Sequence, residues 1–444
     1  MMKPRFLLST VKLLAVGAIF YASYGFANWF TAQRTGVPEI IFAWEQHIPF
    51  WAWTIVPYWS LNVLYALAFF LCHNTAQQNR YIAQLLLAQA IAISCFLLFP
   101  LQFSWLKPAT DGLSGSLFAS LAAFDQPYNQ APSLHIILVL IVGRFYWHRL
   151  PQGWRGVWAA WFTLIALSVL STWQHHFIDI PTGLLAGAIV LWALPWQGNQ
   201  PAPSPLHGFS TAWVRTPQHK QWVGFYIGLA IVGMLLASLG GAWLWCLWVS
   251  VACLVVGVAY GRLGANAFGK ISHHRSLGAA LLLFPHTLAS YANIAFWLRQ
   301  QPFSTPVTPR IHIGSIVAVK QFAAVLDVCA ELPAYPHPLH YHALPMLDMV
   351  APTPTQLNQA ADALQQQLEQ HDLPVLVCCA LGYGRSAAVI LTWWVRYGGA
   401  NDLAHAVAQL QSARPQMVLP AATQHAILAA LQQASHSSCH RPTS

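Results

Sequence analysis

Charge is what this sequence has least of. Asp, Glu, Lys and Arg together make up 7% of the 444 residues, with 12 acids against 21 Lys and Arg. A soluble globule ordinarily carries about a quarter of its residues charged, so this composition excludes an ordinary soluble protein. Acids are scarcest in the middle of the chain: between residues 46 and 300 there are three, Asp111, Asp125 and Asp179. No cluster of Lys and Arg interleaved with aromatics occurs, which argues against a nucleic-acid partner. The eight cysteines, at 72, 95, 246, 253, 329, 378, 379 and 439, form no Cys-x2-Cys pair and no disulfide-type spacing, so neither a zinc module nor an oxidised framework is expected.

What the sequence has instead is apolar length. Hydrophobic residues make up 56%, Trp occurs 21 times, and the mean hydropathy is +0.47. A membrane span needs about 20 apolar residues, and that measure places spans near 7–28, 49–71, 81–100, 133–148, 156–173, 180–196, 221–240 and 243–260. The basic start and long apolar run at the N-terminus lack a small-residue cleavage pattern and read as a retained first span. Arg80, Arg144, Arg149, Arg155, Arg215 and Arg275, with others, then fall at ends assigned to the cytoplasm, and only Arg34 and Lys107 fall opposite. Residues 277–300 contain Pro285, His286 and Asn293, with Arg275 before and Arg299 and Arg310 after. They read as an interfacial or re-entrant helix, which leaves the C-terminal region cytoplasmic; a crossing there would make it periplasmic.

The stretch QPFSTPVTPR, 301–310, reads as a linker. Beyond it, apolar strand-like runs alternate with helical ones: strand IHIGSIVAV, a helix through 321–330, strand HALPML, a helix over 355–370, strand VLVCC and three more helices. The expected fold is a polytopic α-helical membrane bundle followed by a small α/β domain. The boundaries are 1–200, 201–300, the linker 301–310 and a soluble domain over 311–444.

The run VLVCCALGYGRS, 375–386, ends a strand in a glycine-containing loop that enters a helix. Successive backbone N–H groups and a helix N-terminus there form an anion cradle. Cys379 opens it and Arg385 closes it, so a thiolate at the floor faces a guanidinium able to grip two phosphate oxygens. The positive surroundings favour the thiolate. This stretch resembles the signature of the protein tyrosine and dual-specificity phosphatases, Cys-x5-Arg followed by Ser.

The resemblance implies that Cys379 attacks phosphorus, Arg385 holds the transferred group and Ser386 helps the thiolate leave. Ala380, Leu381, Gly382, Tyr383 and Gly384 would line the cradle. Cys378 stands where the family usually has His and reads as a buried small residue. The family's general acid lies about thirty residues upstream, and Asp348, 31 before Cys379, fits that place. Asp327 falls in an expected amphipathic helix, and Asp362 and Asp372 in a solvated helix and at its end. Apart from Arg385 the cradle has no base, which favours a phosphomonoester of modest charge, either on a phosphoprotein or on a phospholipid.

A second constellation lies among the spans, where ionisable groups are costly and point to function. PSLH holds His135; SVLSTWQHHFID holds His175, His176 and Asp179. Consecutive spans run oppositely, so the two strings meet on one face, the periplasmic one by the arginine pattern. One histidine can attack phosphorus while another protonates the leaving oxygen. The strings resemble the type 2 phosphatidic acid phosphatase superfamily, through Pro132-Ser133-Leu134-His135 and Ser168-x6-His175-x3-Asp179.

By that resemblance His175 is the nucleophile, Asp179 its partner and His135 the acid, with Lys107, Ser133 and Ser168 at the phosphate. Val169 stands where the family has Arg, and Leu134 where it has Gly, as in the inositolphosphotransferase-like branch. Neither resemblance implies a metal or other cofactor. His337, His340 and His342 read as loop residues. The order of the two regions resembles bacterial fusions of the two families, which implies a multi-pass phosphatase of the bacterial inner membrane. Its partners would be the lipid bilayer and a phospholipid or phosphoprotein substrate. The alternatives are a single-activity phosphatase tethered by its membrane region and a non-catalytic phosphate-binding scaffold.

Overall fold

The computed structural model describes residues 2–208, 210, 214 and 216–439, so Arg215 lies outside the described residues. The chain divides into two compact units, Met1–Ser204 and Pro205–Ser444. The first is helical: α1 Met2–Ala32, α2 Ile55–Leu71, α3 Thr75–Leu98, α4 Gly112–Ala122, α5 Leu134–Trp147, α6 Arg155–Ser171 and α7 Asp179–Ala193, followed by a short hairpin, β1 Trp196–Gln197 and β2 Gln200–Pro201. The core forms around α5, whose Ile136, Ile137, Ile141 and Val142 are fully buried. Gly183 on α7 allows that helix to close on α5, because a Cβ there would meet the Ser133 carbonyl oxygen at 2.9 Å and the Ile136 side chain at 2.8 Å.

The second unit begins with two packed helices, α8 Pro217–Ala237 and α9 Cys246–Val258. A hairpin of β3 Lys270–Ile271 and β4 His274–Arg275 follows, then α10 Leu277–Leu282 and α11 Phe284–Trp297. The stretch expected as one interfacial helix is therefore two, broken where Pro285 opens the second. Among the described residues six helical stretches are long and apolar enough to cross a membrane: 5–32, 52–71, 75–98, 152–171, 217–237 and 241–268. The expected spans over 133–148 and 180–196 are the shorter α5 and α7, of 14 and 15 residues.

Five strands then make a sheet: β5 Ser304–Thr308, β6 Ile311–Ser315, β7 Ala324–Cys329, β8 His340–Met346 and β9 Val375–Cys379, in the order β5-β6-β9-β7-β8. Only β5 is antiparallel. The helices α12 Pro354–Gln370, α13 Arg385–Arg396, α14 Leu403–Ala413 and α15 Ala421–Cys439 complete the unit. Two expectations need correction here. Residues 301–310, read as a linker, contain β5, and Pro306 is tolerated because β5 is an edge strand.

Residues 321–330, read as a helix, contain β7, all six of whose residues are buried. A strand covered on both faces shows a continuous apolar run, and periodicity alone does not separate that from a buried helix. Side chains alternate across the sheet: Val375, Val377 and Cys379 join the core under α12 and α13, whereas Leu376 and Cys378 join a core that includes Ile294 of α11 and Leu298.

Candidate functional site

β9 is the middle strand, and its C-terminal end delivers Cys379 to the loop that enters α13. Loop and helix begin where parallel strands leave their carboxyl ends, the usual ligand-binding edge of such sheets. The Cys379 sulfur accepts a hydrogen bond from the Gly382 N–H at 3.3 Å and lies 3.4 Å from the Ser386 hydroxyl. Gly382 has φ +75°, and a Cβ there would meet the Gly314 carbonyl carbon at 2.4 Å, so only glycine lets the loop fold over the sulfur.

The rest of the loop is held from outside. The Ser315 hydroxyl donates to the Ala380 carbonyl. Arg414 donates to the Leu381 carbonyl at 3.4 Å and lies 5.2 Å from the Tyr383 ring centroid. The Val418 N–H donates to the Tyr383 carbonyl at 2.9 Å, and the Gly384 carbonyl accepts from Ala388 of α13.

Arg385 is almost fully buried and its direction is fixed by a residue the sequence reading did not single out. Its two Nη atoms donate to the two carboxylate oxygens of Glu331 at 2.8 and 2.6 Å, and Nη1 also to the Met346 carbonyl at 3.0 Å. Burial pushes the Glu331 carboxyl up, but the Arg385 charge and its hydrogen bonds override that and hold it at about 2. The Glu331 carbonyl in turn accepts from Arg275, whose side chain also donates to the Phe268 and Ala279 carbonyls and to Thr287.

Asp348 stands at the other edge of the guanidinium. Its Oδ1 lies 3.2 Å from Arg385 Nε, without hydrogen-bond alignment, and its side chain is 43% exposed. Enclosure pushes its carboxyl up, Arg385 pulls it down and Glu331 pushes it up again, with a net rise. A cavity of about 630 Å³ opens beside Cys379, Arg385 and Asp348.

Cys378 lies fully buried on the opposite face of β9. Burial, then the charge of Asp327, pushes its thiol up, which keeps it protonated. Asp327 is not on a helix surface: it sits fully buried on β7, 2.5 Å from Lys270 Nζ, and accepts from the Tyr341 hydroxyl and the Cys329 N–H. Asp362 pairs with Arg396 and Asp372 lies near Arg310, both away from the loop.

In the first unit, α7 opens with Asp179 and the preceding turn holds His175. His175 Nδ1 lies 3.0 Å from Asp179 Oδ2 and its Nε2 lies 3.1 Å from the Ser133 hydroxyl. Asp179 Oδ2 also accepts the His176 N–H, and the Asp179 carbonyl accepts the Ser133 N–H, which locks the turn to the start of α5. His135 stacks on Tyr58 with ring centroids 4.0 Å apart, and its Nε2 is buried without a partner.

Lys107 lies 5.9 Å from the Phe103 ring centroid, in a cavity of about 340 Å³ shared with Asp125 and Gln174. Ser168 is fully buried and donates to the Ile165 carbonyl, so its hydroxyl is not brought to His175. Val169 is fully buried, and its carbonyl accepts the His175 N–H. Glu45, also not singled out from sequence, is buried and binds His176 Nδ1 at 3.2 Å and the Phe177 N–H at 2.9 Å.

Two family models match the chain. Residues 309–433 match the dual specificity phosphatase catalytic domain, and residues 39–194 match the PAP2 superfamily. Among solved structures, the active form of Tk-PTP is 21% identical, covering 30% of this chain and 97% of its own, with a TM-score of 0.26. Human DUSP28 is 21% identical, covering 30% of this chain and 96% of its own, with a TM-score of 0.28. A mouse putative dual specificity phosphatase complexed with zinc tungstate is 20% identical over 31% and 91%, with a TM-score of 0.27. No curated protein matches the chain. The two family matches describe a phosphatase carrying both domains, a phosphoric monoester hydrolase.

Proposed function

We propose that this chain is a membrane phosphatase whose C-terminal domain works through phosphocysteine. The Cys379 sulfur attacks phosphorus, an S–P bond forms and the bond to the leaving oxygen breaks, with Asp348 giving that oxygen its proton. Arg385 and the loop N–H groups hold the three equatorial oxygens. Water then attacks the phosphocysteine, Asp348 takes a proton back, and Ser386 stabilises the departing thiolate. The observation that carries this reading is the placement of the Cys379 sulfur between the Gly382 N–H and the Ser386 hydroxyl, beside a guanidinium clamped by Glu331.

In the membrane domain His175 attacks phosphorus, Asp179 keeps its Nδ1 protonated and oriented, and His135 protonates the leaving group; Lys107 and Ser133 assist at the phosphate. The Ser133–His175–Asp179 chain supports this assignment. We place the protein in the bacterial inner membrane, with the cysteine site facing the cytoplasm and the histidine site the opposite side. A second reading, in which the membrane domain only tethers one active phosphatase, is favoured by the buried Val169 at the family's arginine position.

Purified Cys379→Ser and His175→Ala variants, assayed on p-nitrophenyl phosphate and phosphatidate, test both. Two activities separate cleanly if each variant loses a different substrate. If Cys379→Ser removes all turnover, the tether reading holds; if it removes none, the phosphocysteine reading is wrong.

A further inference from the structure

The cavity over Cys379 is not walled by the catalytic domain alone. Asp348, Arg385 and the loop form its floor, but Gln218 on the first turn of α8, Asn293 and Trp297 of α11, and Gln301 close one side. α8 is long and apolar enough to cross a membrane. With α8 crossing a bilayer, its first turn would bring the membrane–water boundary to the edge of the cavity. The general-acid segment is fastened to the same helices: the Tyr260 hydroxyl, just beyond α9, donates to the Asp348 carbonyl at 3.1 Å, and Tyr260 stacks on Tyr226 of α8. α11 turns Ile294 into the core behind the loop and leaves Leu288, Phe296 and Trp297 exposed. That is the pattern of a helix lying in an interface.

Part of the rim is apolar, and the rest is uncharged, with Gln416 and Thr423 beside the amides already named. Met349 and Val418 line the cavity and are 59% and 54% exposed, and Val350, Pro352, Trp297 and Pro420 continue the ring. Among the described lining residues, Asp348 and Arg385 are the only ones with charged side chains. A peptide substrate calls for charged partners along its length; this site offers one phosphate cradle bordered by exposed hydrocarbon and by uncharged amides, at the end of a helix long and apolar enough to cross a membrane.

We propose that the cysteine site acts on a lipid phosphate, a single phosphomonoester on an apolar anchor that stays in the bilayer while its headgroup enters the cradle. This rests on the phosphocysteine reading above. The chemistry is unchanged: phosphate passes to sulfur and then to water, and the leaving group is the lipid's own alcohol.

The test uses the full chain carrying His175→Ala, which removes the membrane-domain nucleophile, in mixed micelles of phosphatidate and inert phosphatidylcholine. Rates are compared on phosphatidate, on glycerol 3-phosphate, on a phosphotyrosyl peptide and on p-nitrophenyl phosphate. Contact of a few methylenes with the rim predicts a kcat/KM for phosphatidate about 100-fold above that for glycerol 3-phosphate and for the peptide. The rate should fall as phosphatidylcholine dilutes the surface, and all turnover should vanish on adding Cys379→Ser. Trp297→Ser combined with Val418→Ser should lower the ratio of phosphatidate to p-nitrophenyl phosphate turnover about tenfold. Cys379-dependent turnover of the peptide or of glycerol 3-phosphate equal to or above that of phosphatidate overturns the proposal and leaves the phosphocysteine reading intact. Turnover of phosphatidate and p-nitrophenyl phosphate that survives Cys379→Ser, or no turnover of any of the four substrates, overturns both.

Discussion

Both Nη groups of Arg385 are engaged by the Glu331 carboxylate, which sets the plane of the guanidinium before any phosphate arrives. Glu331→Gln keeps the shape and removes the charge. Hydrogen bonds to charged groups are worth about 1.5–3 kcal/mol, and each ~1.4 kcal/mol is tenfold in rate. Hydrolysis of p-nitrophenyl phosphate should therefore fall about 10- to 100-fold in kcat/KM. The folded Glu331 carboxyl is held at about 2. Its contribution to stability is thus fully present above the ordinary Glu range of about 4.3 and is lost as pH falls toward the folded value. Acid-unfolding curves of Glu331→Gln should lack that loss. Asp348 shifts the other way: its carboxyl is pushed up, so it keeps its proton to higher pH than a free aspartate. The rate should decline as pH rises through that raised value. Asp348→Asn should abolish the alkaline limb and lower kcat about 100-fold on a phosphate ester with a poor leaving group.

At the scale of elements, the sheet is fastened to the hairpin before α10 by a buried ion pair, Lys270 of β3 with Asp327 of β7. Breaking one partner of a buried pair costs about 3–5 kcal/mol, whereas replacing both by apolar groups is often neutral. Lys270→Met should lower the thermal midpoint markedly, and Lys270→Met with Asp327→Leu should recover most of the loss. A double variant as unstable as the single one would show that Asp327 acts through Tyr341 and the Cys329 N–H instead.

This pair also shows where sequence reading stops. Cys379, Arg385 and Ser386 are legible because a strand, a loop and a helix N-terminus are contiguous in the chain, and Asp348 because its segment lies at a family-defined distance. Glu331 is 54 residues from its partner. It follows a strand that reads as a helix, because a run buried on both faces carries no period-two signal. The same applies to Glu45, which reaches His176 from 131 residues away through a short helical turn that no pattern announces. His175 and Asp179, four residues apart, needed no tertiary information.

At the scale of the whole molecule, the second unit is not a soluble enzyme joined to helices by a free linker. Residues 304–308 are a strand of the catalytic sheet, and Ile294 and Leu298 are buried in the core on its far face, with Leu376, Cys378 and Tyr383. Burying two such side chains is worth about 1.5–3 kcal/mol each. A fragment beginning at residue 301 should be less stable than the same domain in the full chain and should bind a hydrophobic dye in proportion, a comparison that thermal melts decide. The central claim, that phosphate passes through the sulfur of residue 379, is tested most directly by acid-quenching the full chain during turnover of p-nitrophenyl phosphate and locating covalent phosphate by mass spectrometry. The predicted result is phosphate on the peptide that contains Cys379, absent from Cys379→Ser. An unmodified Cys379 peptide, with turnover persisting in a protein that carries both Cys379→Ser and His175→Ala, would contradict it.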